Sequence, residues 1–306
     1  MKRLTHSLFI ALFIAAMVTF TACERRQSHA ADTGFSVYVV NYPLYYFATR
    51  IGGDQVSVFF PAPGEVDPAE WIPEDRIIQR YQAADLIILN GADYAGWIKL
   101  VTLPESALVD ASANIQDRLI EENELIHHSH GPHGEHTHGG TAFTVWLDPT
   151  LALEQARSIK MALSSALPQY AEQFEQRFIQ LMEDLLALDS SIKAAVGNNA
   201  ARPVFVSHPV YQYLEARYQL NAVSFHWEPD EMPTDAEWNE LAHVLETHPA
   251  RWMIWEDEPL PEIAARLQAA GVASVVFNPT FQSPAAGDFL SAMQANAEAL
   301  KLVYQD

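Results

Sequence analysis

The sequence contains one cysteine, Cys23, among 306 residues. A single cysteine excludes an intrachain disulfide framework and every zinc or redox motif built on paired cysteines. Positive charge is also scarce, since 18 Lys and Arg stand against 39 Asp and Glu and the net charge is −21. This charge repels phosphate backbones, so we expect no nucleic acid partner and regard cations as better candidates. P-loop, G-x-G-x-x-G, G-x-S-x-G and HExxH motifs are absent, so we expect no enzyme.

The first 23 residues have the pattern of an export signal. A short basic segment precedes an apolar run from Leu8 to Phe20, which is followed by Thr21-Ala22-Cys23. The run is shorter than the roughly 20 residues that cross a bilayer, so we expect residues 1–22 to be cleaved. The end of the run resembles a bacterial lipobox, which predicts a lipid on Cys23 and a periplasmic or cell-surface protein anchored to the membrane. Secretion without a lipid and an uncleaved anchor are the alternatives.

After a polar tether at residues 23–34, short β-branched or aromatic runs alternate with longer helical patterns. This alternation predicts an α/β fold with two lobes of mainly parallel sheet flanked by helices, at residues 35–148 and 201–306. The predicted strands are 35–40, 55–60, 85–89 and 107–110 in the first lobe, and 204–206, 222–225, 252–255 and 274–277 in the second. The predicted helices are 44–51, 75–83, 94–101, 210–218, 235–246, 262–270 and 289–303.

A helical connector is predicted between the lobes, at residues 149–200. The segment is rich in Ala, Leu, Glu and Gln, with apolar residues at helical spacing. Pro168 divides it into one helix that ends near Leu167 and a second from Gln169 to about Ala195. At 1.5 Å per residue the second helix spans roughly 40 Å, which makes it a stiff connector. A helical hairpin packed on one lobe is the alternative.

Several stretches of sequence follow one another in a recognisable order. They are NYPLYYFATRIGGDQVSV, DPAEWIPED, QAADLIILNGADYAGW, TVWLDP, VSHPVYQYL and MIWEDEP. In this combination the chain resembles the zinc and manganese solute-binding proteins of ABC transporters, and most closely the zinc branch, which carries a His-rich loop. The resemblance implies two α/β lobes joined by a long rigid helix. It also implies one metal ion in the cleft between the lobes and delivery of that ion to a permease and its ATPase.

The resemblance implies a metal ligand at His208, in Ser207-His208-Pro209. Three other positions depart from the family, because Ala69 and Thr144 stand where histidines are usual and Asn278 where a carboxylate is usual. Other ligands are expected just past the strands, where ligands gather in open α/β sheets. Candidates there include Glu228 and the acidic run that begins at Glu256.

The predicted metal centre combines His208, Glu256, Glu70 and His226, which supply two imidazole nitrogens and two carboxylates. Such donors hold Zn²⁺ most readily and also Mn²⁺ or Fe²⁺. His226 is alternatively a partly buried histidine with a hydrogen-bonded ring, and Asp148 is interpreted as a helix cap. A cleft that holds a metal complex, or no metal, is a further alternative.

Six of the 12 histidines lie within residues 127–138, among glycines. Neutral imidazoles at this spacing bind Zn²⁺, Cu²⁺ or Ni²⁺, so the segment predicts an auxiliary, mobile metal-collecting loop. The histidines are His127, His128, His130, His133, His136 and His138. An incidental low-complexity insertion is the alternative.

For the whole chain we expect an extracytoplasmic receptor for a divalent cation. A metallochaperone or metal buffer is the second hypothesis. A metal-dependent enzyme with a base among residues 256–258 is the third.

Overall fold

Two four-stranded parallel sheets form the centre of the molecule. The computed structural model describes residues 34–129 and 135–305, and side chains within them except at 122–139. The first sheet has the order β2-β1-β3-β4, with strands β1 (Ser36–Val39), β2 (Ser57–Phe59), β3 (Leu86–Leu89) and β4 (Leu108–Asp110). The second has the order β10-β9-β7-β8, with β7 (Pro203–Val206), β8 (Asn221–Ser224), β9 (Trp252–Trp255) and β10 (Ala273–Val276). All the strand pairs within both sheets are parallel.

Helices flank both sheets and follow the predicted alternation. The two-lobed α/β prediction is confirmed, and each predicted strand lies within two residues of an observed one. The helices are α1 (Tyr42–Gly52), α2 (Asp75–Gln82), α3 (Pro149–Ala166), α4 (Ala171–Val196), α5 (Gln212–Tyr218), α6 (Asp235–Thr247), α7 (Pro261–Ala269) and α8 (Phe289–Tyr304). No helix in residues 34–129 or 135–305 is long and apolar enough to cross a membrane. The predicted export signal and Cys23 lie outside the described residues.

The connector consists of two helices separated at the predicted proline. A 3₁₀ turn at Pro168–Tyr170 lies between α3 and α4. Helix α4 has 26 residues and is therefore about 39 Å long. It packs against α3, α1 and α8, so it contacts elements from both ends of the chain. One continuous hydrophobic core includes α1, α3, α4, α8 and strands of both sheets, while a second cluster, rich in tryptophan, lies within the second lobe.

The helix predicted at 94–101 is wrong at its start. The backbone has positive φ at Gly91 (74°), Ala92 (51°), Asp93 (58°) and Ala95 (56°), and only a 3₁₀ helix at Gly96–Leu100 follows. Left-handed conformations end any right-handed helix. The apolar spacing around Trp97 is real, since Trp97 is buried, but it belongs to a turn.

An antiparallel ribbon, β5 (Glu121–Ser129) and β6 (Glu135–Thr141), extends into both ends of the segment predicted as a His-rich loop. The register pairs His127 with Thr137 and His128 with His136. His130 and His133 lie outside the described residues, and for the other four histidines only the backbone is described. The role of the six histidines in metal binding stays a prediction.

Candidate metal centre

Three potential metal ligands meet at the carboxyl edge of the second sheet. His208 follows β7, Glu228 follows β8 and Glu256 directly follows β9. Because these strands are parallel neighbours, their carboxyl ends lie at the same edge. Backbone hydrogen bonds continue past the strands, with the Trp227 N–H donating to the Ser207 carbonyl at 2.8 Å. One ligand atom from each of His208, Glu228 and Glu256 lies within 4.8 Å of the others.

The His208 imidazole is buried and held by a carboxylate. Its Nδ1 lies 3.2 Å from Oε1 of Glu228. Burial lowers the pKa of His208, but the hydrogen bond with Glu228 and the negative charges of Glu256, Glu228 and Asp67 outweigh burial and raise it. A histidine that donates from Nδ1 to a carboxylate presents Nε2 to a metal, an arrangement common behind metal-binding histidines. Glu228 is therefore placed either to bind an ion itself or to orient His208.

Glu256 lies in an environment that disfavours its charge. Burial raises the pKa of Glu256 to about 7, His208 opposes this shift, and the carboxylates of Glu228, Asp67 and Asp257 add to it. Such a carboxylate keeps a proton near neutral pH unless a cation neutralises it. A divalent ion would replace that proton and relieve the repulsion within the cluster.

Asp67 of the first lobe interacts electrostatically with His208 and Glu228, although among the described residues it does not belong to the group of converging ligand atoms. Its carboxyl group accepts the Ala69 N–H at 2.8 Å, and its backbone carbonyl accepts the N–H groups of Glu70 and Trp71. Burial raises the pKa of Asp67 to about 6, with the Ala69 hydrogen bond opposing it, and the charges of Glu70, His208 and Glu228 act on it as well. Water reaches the Asp67 side chain, although protein atoms surround most of the carboxyl group. It is thus an acidic group at an open cleft.

The structure brings together two of the four predicted ligands, His208 and Glu256, and adds Glu228. Glu70 is exposed and lies close enough to Asp67 to interact with it electrostatically. The His226 ring centroid lies 5.7 Å from that of His208, in an edge-to-face arrangement. Within the part of the chain that is described, neither Glu70 nor His226 belongs to the group of converging ligand atoms.

Sequence reasoning missed Asp67 and did not select Glu228. Asp67 belongs to the Asp-Pro pair just before Ala69, so the motif that lacked its usual histidine still pointed to this segment. Glu228 stands two residues after His226 beyond the same strand. Its contact with His208 depends on the path of the chain between β8 and α6, which has no periodic pattern.

Two of the three positions that depart from the family, Thr144 and Asn278, make other contacts, and Asp148 caps a helix. The buried Thr144 hydroxyl donates to the Val210 carbonyl at 2.6 Å. Asn278 Oδ1 accepts the Thr280 N–H at 2.7 Å. The capping interpretation of Asp148 is confirmed, because its carboxylate accepts the N–H of Thr150 at 2.8 Å at the start of α3. Thr144 and Asn278 thus have structural roles.

Nearly the whole described part of the chain matches a known protein family. A family model described as ZnuA, zinc-uptake complex component A, periplasmic, matches residues 37–303. The chain belongs to the ZnuA family. The match spans the strands of both sheets and residues 67 to 256, so the resemblance to the zinc branch of the solute-binding proteins, predicted from sequence, is confirmed.

Two curated relatives and one solved structure illustrate the relationship. The zinc-binding protein AdcA of Streptococcus pyogenes serotype M3 is 26% identical over 315 residues, which cover 96% of this chain and 61% of that protein. The chain therefore spans less than two thirds of that relative. The high-affinity zinc uptake system protein ZnuA of Bacillus subtilis is 25% identical, with 96% of each chain covered. The crystal structure of the Zn(II)-bound ZnuA-like domain of Streptococcus pneumoniae AdcA shares the fold, with a TM-score of 0.75, 23% identity, and coverage of 89% of this chain and 99% of that one.

Proposed function

We propose that this chain is an extracytoplasmic receptor that captures a divalent cation, zinc in the first instance, and delivers it to an ABC permease with its ATPase. The observation that carries the proposal is the convergence of His208, Glu228 and Glu256 within 4.8 Å at the cleft edge of the second sheet. Membership of the ZnuA family supports it. Relatives named for zinc binding and zinc uptake support the choice of ion.

The ion is bound by groups from both lobes. His208 and Glu256 provide an imidazole nitrogen and a carboxylate, Glu228 binds or orients the imidazole, and Asp67 supplies the first-lobe oxygen. Glu70 and His226 stay proposed ligands that would complete this set. Three or four such donors suit tetrahedral zinc, and a cation that joins acidic groups from two lobes favours a closed cleft.

Zinc is the ion that these donors are expected to bind most tightly. Imidazole and carboxylate also bind Mn²⁺ and Fe²⁺, but a given set of donors generally binds zinc more strongly than either. Manganese and iron are therefore secondary cargo, and the carboxylate-rich composition makes them the right competitors in a binding test.

The remaining parts of the chain have proposed roles that accord with a receptor. Residues 1–22 are a cleaved signal, Cys23 bears a lipid, residues 23–34 form the tether, and residues 149–200 connect the lobes. The histidines of segment 127–138 collect scarce metal. The alternative is a metallochaperone or metal buffer that serves secreted proteins, for which the same cleft chemistry would suffice.

Zinc binding and transport are tested together. The purified protein is titrated with Zn²⁺, Mn²⁺ and Fe²⁺ against a competing chelator, which reports the tightest site only. We expect zinc to bind most tightly and the His208→Ala variant to lose this event. In cells that lack the gene, the wild type but not His208→Ala should restore zinc accumulation in zinc-poor medium. Tight binding without any change in accumulation would favour the buffer, and absence of tight binding would contradict the cleft as a metal centre.

A further inference from the structure

The Tyr94 hydroxyl is a buried polar group whose partner is not found in the described part of the chain. Tyr94 is 7% exposed, and its hydroxyl oxygen is buried with no hydrogen-bond partner among the described residues. Buried hydroxyls in native proteins are almost always hydrogen-bonded, so each exception calls for an explanation. The carboxylates of Asp67 and Glu70 interact electrostatically with Tyr94, so one of them is a candidate partner for its hydroxyl.

The Tyr94 ring is fixed by aromatic neighbours. It packs edge-to-face against Phe143, with ring centroids 5.2 Å apart, and against Trp146 at 6.0 Å. A ring held on two sides has little freedom to carry its hydroxyl to another partner. The partner must therefore come to Tyr94.

The backbone that carries Tyr94 is strained. Ala92 and Ala95 have no polar side chain to compensate for a left-handed conformation, yet their φ angles are 51° and 56°. Strain of this kind persists only where the surroundings enforce it, and it occurs often at ligand-binding positions. It brings Tyr94 inward between two left-handed residues.

A buried polar network enforces this loop conformation. The buried Asn90 side chain donates to the carbonyls of Phe143 and Gly91, and the Asn90 backbone carbonyl accepts from the Ser112 hydroxyl at 2.6 Å. At Gly91 a side chain would collide with Asp110, since an added Cβ would lie 2.4 Å from its Oδ1. Strand ends on both sides thus hold the loop that presents Tyr94.

We propose that Tyr94 is a positioning residue of the metal centre, whose hydroxyl donates a hydrogen bond to the Asp67 carboxylate when the cleft holds its ion. In the structure described here Asp67 carries the hydrogen bond from Ala69 and remains open to water. A cation bound to Oδ2 of Asp67 would leave Oδ1, which accepts the Ala69 N–H, with a second lone pair for the Tyr94 hydroxyl. The inference rests on the proposed function, because it requires an ion in this cleft.

The test uses Tyr94→Phe in the full chain, which removes one oxygen and keeps the ring. Hydrogen bonds to charged groups typically contribute enough for about a tenfold change in affinity or more. We therefore expect the Zn²⁺ dissociation constant to rise about tenfold in chelator competition. The metal-free protein should unfold at the same temperature or a higher one, because the lost hydroxyl had no partner in that state.

Tyr81→Phe is the matched control. Tyr81 is a fully buried tyrosine of the same lobe, and its hydroxyl donates to the Val39 carbonyl at 2.8 Å. Its loss should lower the unfolding temperature of the metal-free protein and leave zinc affinity unchanged. A structural role for Tyr94 would give this same pattern and would overturn the proposal.

A double-mutant cycle identifies the acceptor. In an Asp67→Asn background, Tyr94→Phe should weaken zinc binding by less than twofold, because the charged acceptor is already gone. A full tenfold loss in that background would overturn the assignment to Asp67. Equal zinc affinity of Tyr94→Phe and wild type would overturn the inference while leaving the proposed function intact. Failure of the wild type to bind zinc would overturn both.

Discussion

Replacing Glu256 with glutamine should stabilise the metal-free protein and abolish tight metal binding. The pKa of Glu256 is raised from 4.5 to about 7, chiefly by burial. Below pH 4.5 the group is neutral in both folded and unfolded chains and contributes nothing. Between pH 4.5 and 7 the unfolded chain loses the proton and the folded chain keeps it, so stability falls as pH rises. Above pH 7 the full cost of a buried charge is present.

The size of the effect follows from the shift. One pKa unit corresponds to about 1.4 kcal/mol, so the cost that Glu256→Gln removes grows from about 1 kcal/mol at pH 5 to about 3 kcal/mol at pH 8. Partial solvent access makes these figures upper bounds. Even a gain of about 2 kcal/mol should raise the unfolding temperature by roughly 3 to 4 °C in a chain of this size.

Glu215→Gln is the matched control, because Glu215 has the same chemistry away from the converging ligands. Burial raises the pKa of Glu215 to about 7, and its Oε1 is buried with no hydrogen-bond partner in the described residues. Thermal unfolding is followed in the presence of a chelator at pH 5 and pH 8. Both variants should be more stable than the wild type, by a margin that is larger at pH 8 than at pH 5. Only Glu256→Gln should lose zinc affinity, by tenfold or more. A loss of stability in metal-free Glu256→Gln at pH 8, or a gain independent of pH, would refute the reasoning.

Three further results are expected. His208→Ala should remove the rise in unfolding temperature that zinc produces. Asp148→Ala should lower stability by about 1 kcal/mol through loss of the α3 cap and leave that rise intact. Calorimetry distinguishes the two variants, and an unchanged rise in His208→Ala would contradict the proposed metal centre. Deletion of residues 127–138 should lower the number of zinc ions bound without weakening the tightest event, as counted by titration, and disappearance of that event would place the main site in the segment. Cys23→Ser should release the protein from membranes, and an unmodified Cys23 in the mass spectrum of membrane-extracted protein would argue against the anchor.

The positions of the strands along the chain and the number of lobes were predictable because they depend on patterns that recur along the chain. Short apolar runs such as Leu86–Leu89 are buried on both faces in a parallel sheet, so they stand out from the amphipathic helices around them. Pro168 marked the boundary between α3 and α4 for a local reason, since proline is favoured in a first helical turn and disrupts a helix interior. The same local rules placed His208 and Glu256 at strand ends, where ligands gather.

Residues in irregular loops were not predictable in this way. The segment around Tyr94 reads as the start of a helix, but contacts of Asn90 and Gly91 with distant strands force three non-glycine residues into the left-handed region. Asp67 and Glu228 likewise reach the cleft through loops that lack periodicity. Their positions depend on tertiary contacts, and a single sequence carries no local signal for those.

The cleft combines one buried imidazole with carboxylates, which gives the empty and loaded states opposite energetics. In the empty state Glu256 and Asp67 have raised pKa values and repel one another and Glu228. Protons relieve that repulsion as pH falls through about 7 and then about 6, and these protons compete with the metal ion for the same oxygens. A divalent cation would relieve the repulsion at higher pH, and in the proposed centre it would also join Asp67 of the first lobe to His208 of the second. In the proposed centre, Ala69 and Thr144 stand where the family usually has histidines, so coordination would depend more on carboxylates such as Glu256, whose burial favours neutralisation by an ion.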